Sequence, residues 1–183
     1  MHRRPFLFAA AAAAALCGCS AVQPSYTISA GQMEQALARR FPRSYPVAGD
    51  LLELQLQTPR LTLLPERNQI NAVLELQASG MLLGQRHYGG ALDVDFGLRY
   101  EPSDHTLRAR DVHVNALRLD GLPPALEGQL TRYGQPLAEK SLREVVLHRW
   151  QPKDLTAADR LGLEPGSITV TPQGLVVQLA PKP

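Results

Sequence analysis

The sequence YGGALDVDFGLRYEPSDHTLRARDVHVNALRL, residues 88–119, decides the fold. Apolar residues alternate with polar ones over residues 92–100, which is the period-two pattern of a half-buried strand. Residues 101–104, Glu-Pro-Ser-Asp, are typical of a turn. The alternation then resumes over residues 107–119. Two long strands joined by so short a connection predict an antiparallel pair.

In the second of these strands the apolar positions change phase. They are odd-numbered at Leu107 and Ala109, even-numbered at Val112 and Val114, and odd-numbered again from Leu117. A change of phase within a strand indicates an extra residue, which is a β-bulge, and bulges bend a sheet. We therefore expect a curved sheet.

Shorter segments ahead of this pair show the same alternation or a helical beginning. Strand-like alternation covers residues 52–56, 61–63 and 70–76. Before them, Ser29 and Gln32 have the spacing of a capping box, in which each side chain binds the other residue's backbone N–H. This spacing predicts an N-terminal helix that begins after Ser29.

After the pair, the pattern over about residues 124–150 predicts a long helix. Four apolar residues in it recur at steps of four, three and four: Leu126, Leu130, Tyr133 and Leu137. A helix of about 35–40 Å, at 1.5 Å per residue, needs a broad sheet to cover such a stripe. The chain ends with a second hairpin pattern over residues 168–179. We therefore expect an α+β fold: a curved antiparallel sheet wrapped around one long helix, with an N-terminal helix and a C-terminal hairpin.

Residues 1–18 have the pattern of a secretory signal. Arg3 and Arg4 precede an apolar run over residues 6–16, and small residues follow it. An eleven-residue helix would be about 16 Å long, which is too short for the ~30 Å hydrocarbon core of a membrane. The segment is therefore expected to be removed rather than to remain as a membrane span.

The end of this segment, residues 16–19 (LCGC), resembles the lipobox of bacterial lipoproteins. The resemblance implies that Cys19 becomes the acylated first residue, with palmitate among its acyl chains. Ser20 behind it implies sorting to the outer membrane of a Gram-negative cell, on the periplasmic face. Residues 19–25 would then be a tether and residues 26–183 a single domain. An ordinary secretory signal with two incidental cysteines is the alternative.

The charges are distributed unevenly along the chain. The sequence has 19 basic and 17 acidic residues, and two of the basic ones lie in residues 1–18, which contain no acid. The remaining 165 residues therefore carry 17 of each sign, and a neutral domain argues against nucleic-acid binding. With Cys19 acylated, the domain has no thiol for a disulfide, for redox chemistry or for zinc. No catalytic motif is present, so we expect neither an enzyme nor a cofactor.

One group of polar side chains invites a metal-site interpretation. Asp93, Asp95, Asp111 and His113 lie on the opposite side of their strands from the apolar residues. If the two strands pair, these groups could approach one another and hold a divalent ion. The polar face of any solvated antiparallel sheet shows the same alternation, and this is the interpretation we favour. We therefore predict no metal site.

Four segments resemble the YceB-like bacterial lipoproteins, a family whose domain has no known function. They are residues 26–29 (YTIS), 33–37 (MEQAL), 137–147 and 161–170 (LGLEPGSITV). The resemblance implies a fold similar to half of the lipid-binding domain of bactericidal/permeability-increasing protein. In such folds the space between helix and sheet can hold acyl chains.

The leading hypothesis is a non-catalytic outer-membrane lipoprotein that binds a lipid or another apolar ligand between helix and sheet. The candidate groove comprises Val94, Phe96, Leu98, Leu126, Leu130, Tyr133 and Leu137. The same residues could equally fill a dry core. The alternative function is then an envelope assembly accessory that binds a protein partner. A cavity of about 300 Å³ or more would indicate a ligand carrier. A packed interior with an exposed apolar patch or a free strand edge would instead indicate the assembly accessory.

Overall fold

The computed structural model describes residues 24–47, 51–84, 86–143 and 145–182. More than half of these residues lie in strands. The predicted signal segment and residues 19–23 of the predicted tether, which include Cys19, lie outside the described residues.

Within the described residues the chain forms ten strands, which build two antiparallel sheets. They are β1 (Ser25–Ser29), β2 (Arg43–Val47), β3 (Leu52–Leu56), β4 (Arg60–Leu64), β5 (Gln69–Ser79), β6 (Tyr88–Glu101), β7 (Thr106–Leu119), β8 (Val146–Arg149), β9 (Leu163–Thr171) and β10 (Gly174–Pro181). The large sheet has the order β2-β3-β5-β6-β7-β8, with β4 also paired to β5. The small sheet has the order β1-β10-β9.

The helical elements are short except for one. They are α1 (Ala30–Ala38), α2 (Pro124–Gln129), a π-helical turn (Leu130–Gly134), α3 (Gln135–Arg143), α4 (Pro152–Arg160) and the 3₁₀ turns Pro65–Arg67 and Met81–Leu83. Because α2, the π turn and α3 follow one another without a break, they form one helix over residues 124–143, called here the long helix.

The predicted pair of long strands is β6 and β7, and its two bulges are confirmed. Its facing residues shift by one at each bulge: Leu98 and Ala109, then Val94 and Val114, then Leu92 and Leu117. Asp111, in the first bulge, has a left-handed backbone with φ of 50°. Each extra residue keeps the apolar side chains on one face of the sheet although their numbering changes phase.

A third shift of register joins β3 and β4 along the same edge of β5. Leu56 faces Leu76, whereas Leu61 faces Ala72, so one extra residue lies between the two short strands. Pro59, which cannot donate to a ladder, falls in this interruption. The shift explains why the inward leucines of β3 are even-numbered, whereas Leu61 and Leu63 of β4, which also pack against the core, are odd-numbered.

The inner face of the large sheet carries the core in two parts. One part is formed within the curled sheet by residues of β5, β6 and β7: Ala72, Leu74, Leu76, Ala78, Leu92, Val94, Ala109, Val112 and Val114. In the other part, Ile70 and Leu98 of the large sheet pack against the small sheet, at Ile168, Val170, Leu175 and Val177. The small sheet therefore closes one end of the curl.

The expected α+β fold, with the sheet wrapped around one long helix, is wrong. The protein is mostly β, and the large sheet curls on itself as a half-barrel. The long helix instead packs along β7. The strand β8 pairs only with residues 106–108 of β7, so the rest of that edge has no strand partner among the described residues. The helix covers it, and Glu139 Oε1 accepts a hydrogen bond of 2.9 Å from the Val114 backbone N–H.

Two local features explain why the prediction of one long helix over about residues 124–150, with its apolar stripe facing the sheet, was wrong. The first is its end: α3 stops at Arg143, and the β-branched residues Val145 and Val146 lead into β8, because a strand edge is available there. The second is the π turn, which adds a residue and rotates the helical residues after it. The side facing β7 contains Leu126, Leu130, Gly134, Ala138 and Leu142, whereas Tyr133 and Leu137 are 57% and 61% exposed.

Gly134 permits the close contact of helix and strand. A Cβ atom at this position would lie 2.8 Å from Leu130 Cδ1 and 3.1 Å from Leu117 Cδ2. A larger residue would have to displace both leucines. The glycine that weakens the helix by propensity is therefore needed where the helix meets β7.

The two ends of the domain follow their local signals. The capping box is confirmed: Ser29 Oγ accepts from the Gln32 N–H, and Gln32 Oε1 accepts from the Ser29 N–H at 2.9 Å. The C-terminal hairpin is also confirmed as β9 and β10. Its second strand, β10, also pairs with β1, which begins at Ser25, the last residue of the predicted tether.

Candidate functional site

The structure does not bring the seven predicted groove residues together. Val94 and Leu98 are buried in the two parts of the core, and Phe96 packs against both parts. Leu126 and Leu130 are half-buried on the helix side that faces β7. Tyr133 and Leu137 point to solvent. The inner face of β6 and β7 is covered by other side chains of the protein's own core.

A smaller cleft opens where the long helix begins. It lies between the end of β7 and the first two turns of the helix and has a volume of about 250 Å³. Leu117, Leu119, Leu122 and Leu130 supply its apolar wall. Arg118, Asp120, Glu127 and Thr131 supply its polar rim. Of the predicted groove residues, Leu130 lines this cleft.

The connection between β7 and α2 explains why the cleft is open. Asp120 donates its backbone N–H to Gly89 O at 2.8 Å, which holds the end of β7 beside β6. Gly121 then takes a left-handed conformation with φ of 74°, and Pro123 begins the helix by accepting from Leu126 and Glu127. The chain therefore leaves the sheet before it returns at Gly134, and the gap between these two points is the cleft.

The carboxylates of the metal-site interpretation belong to a closed hydrogen-bonded network on the outer face. Asn71 Nδ2 donates to Asp93 at 2.6 Å and to Asp95 at 2.8 Å. Asn115 Nδ2 donates to Asp93 at 3.0 Å, and Arg67 lies 2.9 Å from Asp95. Amide and guanidinium donors thus occupy Oδ1 of Asp93 and both carboxylate oxygens of Asp95.

The buried member of this network has a shifted pKa. Burial by itself would raise the pKa of Asp95, but hydrogen bonds from Asn71 and Asn115 and the charge of Arg67 outweigh it, and the pKa lies below its usual value. Asp95 is therefore ionised at neutral pH. It ties the 3₁₀ turn Pro65–Arg67 to the middle of β6.

Asp111 and His113 do not join this network. Asp111 pairs with its neighbour Arg110 at 3.0 Å, and His113 Nδ1 lies 3.3 Å from Glu139 on the long helix. Among the described residues, the side chains of histidine, cysteine, aspartate and glutamate form no group of three that could hold a metal ion. Asp93, Asp95, Asp111 and His113 therefore do not lie in an arrangement in which they could bind one metal ion together.

Sequence reasoning missed an aromatic cluster at the end of the central pair of strands. The Tyr100 hydroxyl lies 2.7 Å from His105 Nδ1, and the Tyr100 ring meets the Trp150 ring edge-on at 5.4 Å. His148 meets Trp150 edge-on at 5.0 Å, and Tyr26 forms a hydrogen bond with Trp150. Because the sequence pattern predicted a helix through Trp150, no signal in the sequence connected these rings.

Two tyrosines of this cluster have raised pKa values. Burial and the nearby carboxylates of Glu164, Asp159 and Asp104 raise the pKa of Tyr100. Burial also raises the pKa of Tyr26, against the effect of its hydrogen bond with Trp150. A tyrosine with a raised pKa donates a hydrogen bond at neutral pH and is a poor base. The cluster therefore links the two sheets through the contacts of Trp150 with Tyr26 and Tyr100.

Neither the protein-family models nor the curated proteins with which the sequence was compared give a match. The resemblance to YceB-like lipoproteins thus stays a prediction. In the part of the chain that the structure describes, no helix has both the length and the apolar character needed to cross a membrane.

Proposed function

We propose that the protein is a lipoprotein, anchored through acylated Cys19 at the periplasmic face of the outer membrane, and that its cleft binds one apolar chain. The observation that carries the proposal is the opening of about 250 Å³ between β7 and the long helix, which four leucines line together with polar residues. It is smaller than the pocket of about 300 Å³ expected for a complete ligand, so the proposal is limited to part of one. No catalytic step is part of the proposal. The described residues around the cleft contribute a wall and a charged rim, in which Arg118 and Thr131 are suited to a polar headgroup.

The volume limits what the cleft can hold. A methylene group is about as large as a water molecule, which occupies about 30 Å³, so the cleft has room for about eight of them. At about 0.8 kcal/mol for each methylene, complete burial of eight would gain about 6 kcal/mol, which is an upper bound because the cleft is open to solvent and partly polar. The cost of association, about 4 kcal/mol or more, leaves weak and reversible binding. The proposed ligand is therefore the end of a fatty acyl chain and not a whole lipid.

Filling the cleft is expected to weaken this binding. Thr131→Trp places an indole at the rim and should weaken binding of dansyl-labelled undecanoic acid by at least about tenfold, the effect of about two lost methylene contacts. The matched control is Gln129→Trp, which adds the same ring to an exposed helix position outside the cleft. Fluorescence titration measures both variants. Equal affinities in the two variants, or no saturable binding by the wild type, would contradict the proposal.

The anchor is tested by the acceptor cysteine. Cys19→Ala removes the only thiol that can be acylated after processing and should move the protein from the membrane fraction to the soluble fraction. Cys17→Ser is the control, because a small residue is kept at that position and lipidation should continue. The measurement is membrane sedimentation together with the intact mass of the purified chain. A Cys19→Ala variant that still sediments with membranes would exclude the anchor.

The free edge of β1 favours a second function, that of an envelope assembly accessory. β1 pairs with β10 on one side, and within the described residues no strand pairs with its other side. Such an edge can accept a strand from a partner protein. A photoreactive residue at Thr27, which is exposed on β1, would crosslink one defined envelope protein if this function is correct.

A further inference from the structure

The outward face of the long helix combines two apolar side chains with basic ones. Tyr133 and Leu137 lie four residues apart, so they are neighbours on the helix surface. Arg132, Lys140 and Arg143 are exposed over about three turns of the same helix. This set of five residues is called here the outward face. An aromatic ring, a leucine and several cations are the composition of helices that lie in a membrane interface.

The acidic residues of the helix do not neutralise this face. Glu139 is half-buried and turned toward β7, where it accepts the Val114 N–H and faces His113. Glu127 lies in the first turn, at the rim of the cleft. Beyond residue 130, the described part of the helix therefore carries three exposed basic side chains and one half-buried acidic side chain, that of Glu139.

We infer that the outward face docks on an anionic phospholipid surface, with Tyr133 and Leu137 among the headgroups and the basic side chains beside the phosphates. The inference rests on the proposed acyl anchor. It assigns the domain one orientation, with the long helix against the membrane. Because the cleft is lined by Leu130 and Thr131, one turn before Tyr133, its opening would then lie near the acyl chains that it is proposed to bind.

The size of the face favours a membrane over a protein partner. A stable protein interface buries about 800 Å² on each side and is built around a cluster of anchoring residues. Two exposed apolar side chains are too few for that. A tethered domain needs far less, since attachment through Cys19 replaces free association with an effective concentration in the millimolar range. The six residues 19–24 reach at most about 20 Å, which keeps the domain beside the bilayer.

The test places a fluorophore on the outward face of the anchored protein. In the processed chain a cysteine at position 137 would be the only free thiol, so Leu137→Cys can be labelled with an environment-sensitive nitrobenzoxadiazole dye. Leu161→Cys is the matched control, because Leu161 is also an exposed leucine but lies after α4. The lipidated variants are reconstituted into vesicles of phosphatidylcholine alone or mixed equally with phosphatidylglycerol, and flotation reports whether they are attached.

The expected result is a blue shift and a several-fold rise in emission at position 137, only with phosphatidylglycerol, and no change at position 161. Replacing Arg132 and Lys140 by glutamine should lower the ratio of docked to undocked protein about fivefold for each residue. Floating protein with no change at position 137, or with equal changes at both positions, overturns the inference while the anchor stands. Chains that do not float overturn the anchor and the inference together. A change that requires native membrane proteins instead of lipid assigns the face to a protein partner and overturns the inference.

Discussion

Truncating Ile70 to alanine is expected to lower the free energy of unfolding by about 2–5 kcal/mol. Ile70 is 2% exposed and packs against Ile168, Val170, Leu175 and Val177. It therefore joins the large sheet to the small one. Its neighbours belong to several strands that cannot all move inward, so the cavity left by the missing atoms should persist.

Val73→Ala is the matched control for this change. Val73 lies three residues further along the same strand, on the outer face, and is 36% exposed. Its truncation should cost less than about 1 kcal/mol. Urea unfolding followed by circular dichroism measures both variants. Equal losses would mean that β5 does not separate a buried face from a solvated one.

Replacing Arg67 by methionine is expected to destabilise the protein by about 1–3 kcal/mol. The partner, Asp95, has a side chain only 5% exposed, and it would lose the guanidinium that contacts it. Breaking a fully buried pair costs more, but Arg67 is 57% exposed, which reduces the effect. Asn71 would still donate one hydrogen bond to the stranded carboxylate.

The control for this change is Arg60→Met, which removes the Arg60–Glu75 pair on the neighbouring strands. Its side chains are 83% and 67% exposed, so the expected cost is about 0.5 kcal/mol or less. Urea unfolding midpoints distinguish the two variants. A loss at Arg60 as large as the loss at Arg67 would show that burial of Asp95 has no energetic consequence.

The same ion pair predicts how the stability depends on pH. The pKa of Asp95 is lower in the folded protein than in the unfolded chain, so its charge stabilises the fold above the ordinary aspartate pKa of about 3.9. That stability is lost as the pH falls through the lower, folded-state pKa. The difference in unfolding free energy between wild type and Asp95→Asn should thus be largest above about pH 5 and shrink in stronger acid. A difference that is constant from pH 6 to pH 3 would contradict the shift.

The candidate site could be predicted in part. Leu130 was predicted from the helical period, and the space between helix and sheet was what the family resemblance implied; Leu130 does line the cleft. Leu119 and Leu122 line it as well, but they lie in a strand end and a loop, where periodicity assigns no partner. The sequence pattern placed Asp93 and Asp95 close together. It did not predict their hydrogen-bond donors, because Asn71 lies in β5 and Arg67 in a separate turn.

The sequence by itself determined the local pairing of this protein. The turn over residues 101–104, the two phase changes in β7 and the capping box at Ser29 depend on residues close together in the chain, so alternation and side-chain chemistry suffice to predict them. The tertiary structure alone decided where the long helix lies. That position depends on which strand edge remains unpaired, on the π turn that rotates Tyr133 outward, and on a strand that forms where a helix was expected. These are competitions between distant segments for one edge of β7, and the period of a single segment carries no information about them.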